Sequence, residues 1–149
     1  MKNITKEQKE FLNKCTNGNW ELNLGTGLVD IDGSFDCSRM GLSDFMGIEF
    51  GNINGIFRCP FNRLVSLKGA PKKVYGYLNC SHNKLISLEG APQKVGWGLI
   101  CDAITLRGCP IDLLDKVYFY RDDKSFILKD LLNRVGNGLA PEIYLKKMI

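Results

Sequence analysis

A short pattern of apolar and polar positions recurs along the middle of the chain. An apolar residue stands two positions before a cysteine in four places, and the four cysteines are 22, 21 and 21 residues apart. Successive side chains of a strand point to opposite faces, so the two members of each pair lie on the same side. The pattern predicts parallel strands near 34–37, 56–59, 77–80 and 98–101. Their inward pairs are Phe35 and Cys37, Phe57 and Cys59, Leu78 and Cys80, and Leu99 and Cys101.

A fifth strand is predicted by the distance from a proline. The prolines at positions 71 and 92 each stand nine residues before a cysteine of the pattern. Nine residues beyond Pro110 lies Phe119, with the apolar Val117 two positions earlier. The sequence therefore predicts a further strand near 117–120.

Two whole segments of the chain are nearly the same. Residues 55–75 read GIFRCPFNRLVSLKGAPKKVY, and residues 76–96 read GYLNCSHNKLISLEGAPQKVG. A fixed period of 20–50 residues is typical of a solenoid, in which each repeat packs only on its neighbours. Asn62 and Asn83 follow their cysteines by three residues, and we expect their amides to bond the backbone of adjacent coils. The Gly-Ala-Pro segment is expected to bend the return limb of each coil.

These segments also carry a family resemblance. FRCPFNRLVSL and LNCSHNKLISL resemble the strand-and-asparagine segment of leucine-rich repeats, with cysteine at a usual leucine position. CSHNKLISLEGAPQKVG resembles the short repeats of uncharacterised bacteriophage and bacterial proteins. The resemblance covers residues 33–110. It implies a right-handed, leucine-rich-repeat-like α/β solenoid of about five parallel strands, curved with the sheet on its concave side, and it implies no catalytic residues.

The flanking segments are predicted to cap this solenoid. In the N-terminal segment, residues 1–32, Thr5 and Gln8 have the spacing of a capping box that begins a helix. The residues around Gly25–Gly27 are expected to turn a hairpin. In the C-terminal segment, residues 121–149, apolar residues at helical spacing predict a helix that ends at Gly136, followed by a second one. All three parts, 1–32, 33–120 and 121–149, are expected to form one structural domain. A partner-binding role for the last helices is the alternative.

Composition and the N-terminal residues indicate the class of protein and the compartment in which it is expected. The chain has 149 residues, 44% of them hydrophobic and 24% charged, which is typical of a folded domain. No apolar run approaches the roughly 18 residues of a membrane span, and the N-terminus carries Lys and Glu where a signal peptide is apolar. We expect a cytoplasmic protein, in the host cytoplasm if phage-encoded, with reduced thiols and no membrane partner.

Catalytic and metal chemistry finds little support in the sequence. The closest cysteines, Cys101 and Cys109, are eight residues apart, wider than the close pairs of zinc sites. His82 is the only histidine, and it occupies a variable position of the repeat. No nucleophile, phosphate-loop or metalloprotease motif is present. The sequence predicts no enzyme activity, no metal and no cofactor.

The outward positions of the predicted strands are more informative. On a solvated face they would usually be polar, yet four of them are apolar or aromatic and lie beside Arg58. Tyr and Arg are enriched at binding hot spots, and contiguous apolar patches mark recognition surfaces. A cap helix folded over this face, or β-propensity alone, would also explain the pattern. The predicted partner-binding residues are Ile56, Arg58, Tyr77, Asn79, His82, Ile100 and Tyr118.

Three functions are therefore kept open. The first is a non-catalytic protein-binding module, for example a phage-encoded inhibitor of a host enzyme or defence system, whose partner is a host protein. The second is a nucleic-acid binder, because the net charge is +4 and stacked return loops would align Lys72, Lys73 and Lys94. Glu89 dilutes that basic ridge. The third is a structural or self-assembling repeat protein.

Overall fold

The computed structural model describes residues 3–102, 108–113, 116–121 and 124–127. One α-helix, α1 (Lys6–Thr16), begins at the predicted capping box. The Thr5 hydroxyl accepts from the backbone N–H of Gln8 at 3.2 Å, and the Gln8 side chain accepts from the Thr5 N–H at 2.9 Å. The buried face of α1 carries Phe11 and Leu12, so the helix packs on the first coil.

Eleven short strands follow among the described residues, with one 3₁₀ turn at Ile111–Leu113. In chain order they are β1 (Trp20–Leu22), β2 (Val29–Ile31), β3 (Phe35–Asp36), β4 (Phe50–Ile53), β5 (Phe57–Arg58), β6 (Lys73–Val74), β7 (Tyr77–Asn79), β8 (Lys94–Val95), β9 (Gly98–Asp102), β10 (Val117–Arg121) and β11 (Lys124–Ile127).

The strands form two sheets that make up the two limbs of a β-solenoid of about four turns. The cysteine sheet has the order β11-β10-β9-β7-β5-β3, and its strands β3, β5, β7, β9 and β10 run parallel. These are the five strands that the cysteine spacing and the proline distance predict, so that prediction is confirmed. The solenoid architecture is confirmed with it.

The return limb carries a second sheet that the sequence pattern missed. This return sheet has the order β1-β2-β4-β6-β8, in which β2, β4, β6 and β8 are parallel. Two of its strands, β6 and β8, are two residues long, too short to show a periodic pattern. The antiparallel pair β1 and β2 is the hairpin predicted around Gly25–Gly27.

The interior is built from the repeated positions. Each predicted apolar residue and its cysteine are completely buried, at 0% exposure, in all four coils. The rings of Phe35 and Phe57 stack at 4.7 Å between centroids, and Phe11 of α1 meets Phe35 edge-on at 5.8 Å. Residues at one position of the repeat therefore stack on their counterparts in the next coil.

The asparagines join neighbouring coils as expected. The Asn62 amide donates to the carbonyls of Cys37 and Cys59, and its oxygen accepts from the N–H groups of Met40 and Leu42, all at 2.9–3.1 Å. Asn83 forms similar bonds one coil later, where its amide donates to the carbonyls of Cys59 and Cys80 and its oxygen accepts from the N–H of Leu64. Because a buried polar group is costly when unpaired, these two asparagines hold the turns after β5 and β7 in place.

The C-terminal segment departs from the prediction. Residues 124–127, predicted to open a helix, form strand β11 and pair antiparallel with β10. The physical reason is the edge of the cysteine sheet, because the outer side of β10 offers backbone groups that a following strand satisfies. The helices predicted between 128 and 149 lie outside the described residues. No helix within the described part of the chain is both long and apolar enough to cross a membrane.

Candidate aromatic and charged binding surfaces

The outer face of the cysteine sheet collects most of the predicted binding residues. Backbone pairing sets Arg58 opposite Asn79, Asn79 opposite Ile100, and Ile100 opposite Tyr118. Tyr77 lies in the neighbouring row, opposite Gly98. Side chains opposite each other on adjacent strands are within contact distance, so residues scattered over some sixty positions share one surface. Arg58 is exposed, and Ile56, Tyr77, Asn79, Ile100 and Tyr118 are half-buried.

An exposed tryptophan extends this surface. Trp97 is 66% exposed, and its ring lies 6.1 Å from the Tyr77 ring, tilted by 40°. Gly98 lies opposite Tyr77 on the next strand and carries no side chain. The ring of Tyr118 occupies the space that a Cβ of residue 98 would need. We call Tyr77, Trp97, Ile100 and Tyr118 the aromatic patch.

Trp97 was missed by the sequence reasoning. Its position in the repeat is held by Gly55 and Gly76 in the two preceding coils. A large apolar residue at a position that is glycine in the two preceding coils was the available signal. A glycine in the tyrosine position, Gly98 in place of Tyr77, accompanies it.

The polar end of the same face is partly engaged within the chain. The Arg58 Nε lies 3.9 Å from the Asp36 Oδ2, and both side chains are about half exposed, at 47% and 51%. An exposed ion pair of this kind contributes little, so Arg58 can turn to another acidic group at small cost. Asn79 differs, because its Oδ1 accepts from the N–H and the hydroxyl of Ser81 and shapes the turn after β7.

His82 lies beside the strand rows, in the turn that follows β7. The His82 ring stacks on the ring of Phe61, which lies one coil earlier, with 4.2 Å between centroids and an angle of 5° between planes. Arg39 lies one coil earlier again, and its guanidinium carbon is 4.1 Å from the Phe61 ring centroid. All three residues have left-handed backbone conformations, with φ between 53° and 57°. The repeated turn thus stacks the side chains of Arg39, Phe61 and His82 beside the strand rows.

The cysteine ladder is unsuited to thiolate chemistry. Burial raises the pKa of Cys80 to about 12, and it raises the pKa of Cys59 and Cys101 well above the ordinary value. Thiolate, not thiol, is the nucleophile and the metal ligand. In addition, no group of three or more His, Cys, Asp or Glu within the described ranges is arranged to hold a metal ion. The ladder instead fills the core as compact apolar side chains.

The return sheet presents the lysines named as a possible basic ridge. Lys73 lies directly opposite Lys94, and Lys72 is exposed beside them. The Lys73 ammonium donates to the Tyr75 hydroxyl at 3.1 Å and lies 4.4 Å from the Tyr75 ring centroid. Lys73, Lys94 and Tyr75 therefore form a compact cationic group on this face.

Comparisons of the chain with protein-family models, with curated proteins and with solved structures give no match.

Proposed function

We propose that this chain is a non-catalytic protein-binding module whose contact surface is the outer face of the cysteine sheet. The observation that carries the proposal is the aromatic patch, in which an exposed Trp97 leans on Tyr77 next to Ile100 and Tyr118. Trp and Tyr are the residue types most enriched at binding hot spots. A contiguous apolar group at the surface of a folded domain is a recognition site more often than a neutral feature.

The scaffold beneath the patch favours binding. Parallel strands about 4.8 Å apart present their outward side chains in rigid rows, so little backbone order is lost on binding. Tyr and Trp bring large contact areas with few rotatable bonds. Arg58 at the polar end of the face adds a group that can pair with a partner carboxylate.

The narrower proposals concern family and partner. We assign the chain to the short leucine-rich-repeat-like proteins of phages and bacteria on the strength of its CSHNKLISLEGAP motif, with a right-handed coil. Helix α1 with its hairpin, and the C-terminal segment, act as caps of the solenoid in this proposal. The partner is a host protein of the cytoplasm, and binding inhibits a host enzyme or defence system.

The test begins with capture of the partner from host lysate and ends with affinities of purified variants. Trp97→Ala and Tyr77→Ala should each weaken binding by about thirtyfold or more, roughly 2 kcal/mol, as expected for hot-spot residues. Tyr75→Ala is the matched control, because Tyr75 is also an exposed aromatic residue, 51% exposed, but lies with Lys73 on the return sheet. If Tyr75→Ala abolishes binding and Trp97→Ala binds normally, the contact surface is not the outer face of the cysteine sheet and the proposal is wrong.

Nucleic-acid binding is the second candidate, favoured by the register of Lys73 and Lys94. Binding of lysines to phosphates weakens steeply between about 50 and 200 mM salt. A gel-shift titration with single- and double-stranded DNA and RNA over that range tests it. Failure to retard any of these at low salt removes this candidate.

A further inference from the structure

The outer row of the return sheet has an ordered sequence of charges across its strands. Backbone pairing sets Glu21 opposite Asp30 on β1 and β2, Asn52 opposite Lys73 on β4 and β6, and Lys73 opposite Lys94 on β6 and β8. The Asp30 carboxylate accepts from the N–H of Asn52 at 2.6 Å, which joins the two halves of the row. From one end to the other the row reads acidic, acidic, neutral, basic, basic.

Each end of this row sets like charges side by side. Glu21 and Asp30 are directly opposite on antiparallel strands, and Lys73 and Lys94 are directly opposite on parallel strands. Like charges in such positions destabilise a sheet. An oppositely charged group placed over either end would therefore relieve a repulsion inside the chain as well as gain an attraction.

We infer that this face docks on the same face of a second copy of the chain. A two-fold axis along β4 at Asn52, in the plane between two facing sheets, reverses the row. Glu21 then lies over Lys94 of the second copy, and Asp30 lies over its Lys73. A two-fold contact is self-complementary, so each of these pairs forms twice in the dimer.

The same charge order disfavours a polyanion as the occupant of this face. A nucleic acid laid along the row would gain Lys73 and Lys94 but would meet Glu21 and Asp30 at the other end. A second copy meets opposite charges at both ends. Because exposed ion pairs are screened over roughly 10 Å at 0.1 M salt, the dimer is expected to be weak and sensitive to salt.

The experiment is sedimentation velocity on the full chain at about 50 mM and about 500 mM salt, where screening differs severalfold. The wild-type chain should dimerise at low salt and dissociate at high salt. Glu21→Lys alone and Lys94→Glu alone each create two like-charge contacts, and each should lower the association constant by at least about tenfold. Both residues are exposed, and circular dichroism verifies the fold of each variant.

The decisive variant combines the two changes. In the chain with both Glu21→Lys and Lys94→Glu, each pair is reversed and again attractive, so dimerisation should return. An equimolar mixture of the two single variants should form a heterodimer for the same reason. Lys84→Glu changes the same charge at an exposed position outside both sheets and should leave the wild-type dimer intact.

Several results overturn the inference. The inference is wrong if the wild-type chain stays monomeric at low salt. It is also wrong if the double variant does not dimerise, or if Lys84→Glu lowers the association constant as much as Lys94→Glu does. Retention of a single-stranded oligonucleotide that Lys94→Glu abolishes, with dimerisation unaffected by Glu21→Lys, would assign these lysines to nucleic acid instead. None of these outcomes depends on the partner of the aromatic patch.

Discussion

The two sheets of the solenoid share one interior and differ on their outer faces. Inside, the cysteine sheet repeats a buried Cys in four successive coils, and the return sheet repeats aliphatic residues such as Val74 and Val95. Outside, the cysteine sheet changes from Asp36 in the first coil to Tyr118 in the last, and the return sheet changes from acidic to basic. One repeated backbone therefore presents two surfaces of different chemistry.

The difference has a simple cause. An inward side chain contacts its counterparts in the coils before and after it. A substitution at an inward position therefore disturbs the packing of both neighbouring coils, as in any stacked repeat. An outward side chain contacts mainly solvent and its immediate neighbours. Interior positions are therefore restricted by packing to a few apolar residue types, and outer positions are available for recognition.

The largest expected effect concerns the interior thiols at high pH. The pKa of Cys80 rises from 9.0 to about 12 because of its burial, so the folded state keeps a proton that the unfolded chain releases. The stability from this proton is complete below about pH 9 and is lost as the pH rises toward 12, by about 1.4 kcal/mol per pH unit for each such thiol.

Urea unfolding in reducing buffer from about pH 8 to 10.5 measures this loss as a slope. Cys80→Ala should give a slope shallower by one proton than the wild-type chain. Equal slopes in both proteins would mean that the folded chain does not protect this thiol.

The next effect compares an inward with an outward asparagine. Asn62→Ala leaves three backbone groups, the N–H groups of Met40 and Leu42 and the carbonyl of Cys37, without their side-chain partner and should cost about 3 kcal/mol of unfolding free energy. Asn54→Ala removes an exposed bond to Asp32 and should cost less than about 0.5 kcal/mol. Thermal or urea unfolding of both variants gives the comparison, and similar costs would contradict the separation of interior from surface.

The smallest effects are expected on the two outer faces. Trp97→Ala and Lys94→Ala should each change the unfolding free energy by no more than about 0.5 kcal/mol, since both side chains are exposed. Urea unfolding at neutral pH is the measurement. If either variant loses more than about 1 kcal/mol, that face also supports the fold and its residues are not free for recognition alone.

Much of the fold was predictable because its signal is local. Cys59 and Cys80 stand in the same position of two nearly identical segments, and their shared inward direction follows from the alternation of a strand. The strand near 117–120 was predicted from the distance to Pro110 and is confirmed as β10. Strand β11 was not, because Ile127 satisfies a helical pattern as well as it pairs with Tyr118.

The candidate site was predictable in part. Five of the residues were predicted as outward because each precedes a cysteine by an odd number of positions or, in one case, stands directly before Phe119, which the sequence pattern predicts as inward. They are Ile56, Arg58, Tyr77, Ile100 and Tyr118. The contribution of Trp97 was not predictable in this way, because its side chain leaves a turn, whose direction no period specifies.

By itself, the sequence determined the coil. The inward pairs, the linking asparagines and the five parallel strands of the cysteine sheet depend on residue types at a constant spacing, and that spacing is visible in the sequence. Only the tertiary structure decided which outward residues become neighbours. The approach of Trp97 to Tyr77 and the row from Glu21 to Lys94 depend on the register between coils, which joins residues about twenty positions apart. A one-residue change of register would exchange the faces, so these surfaces exist only once the coils are stacked.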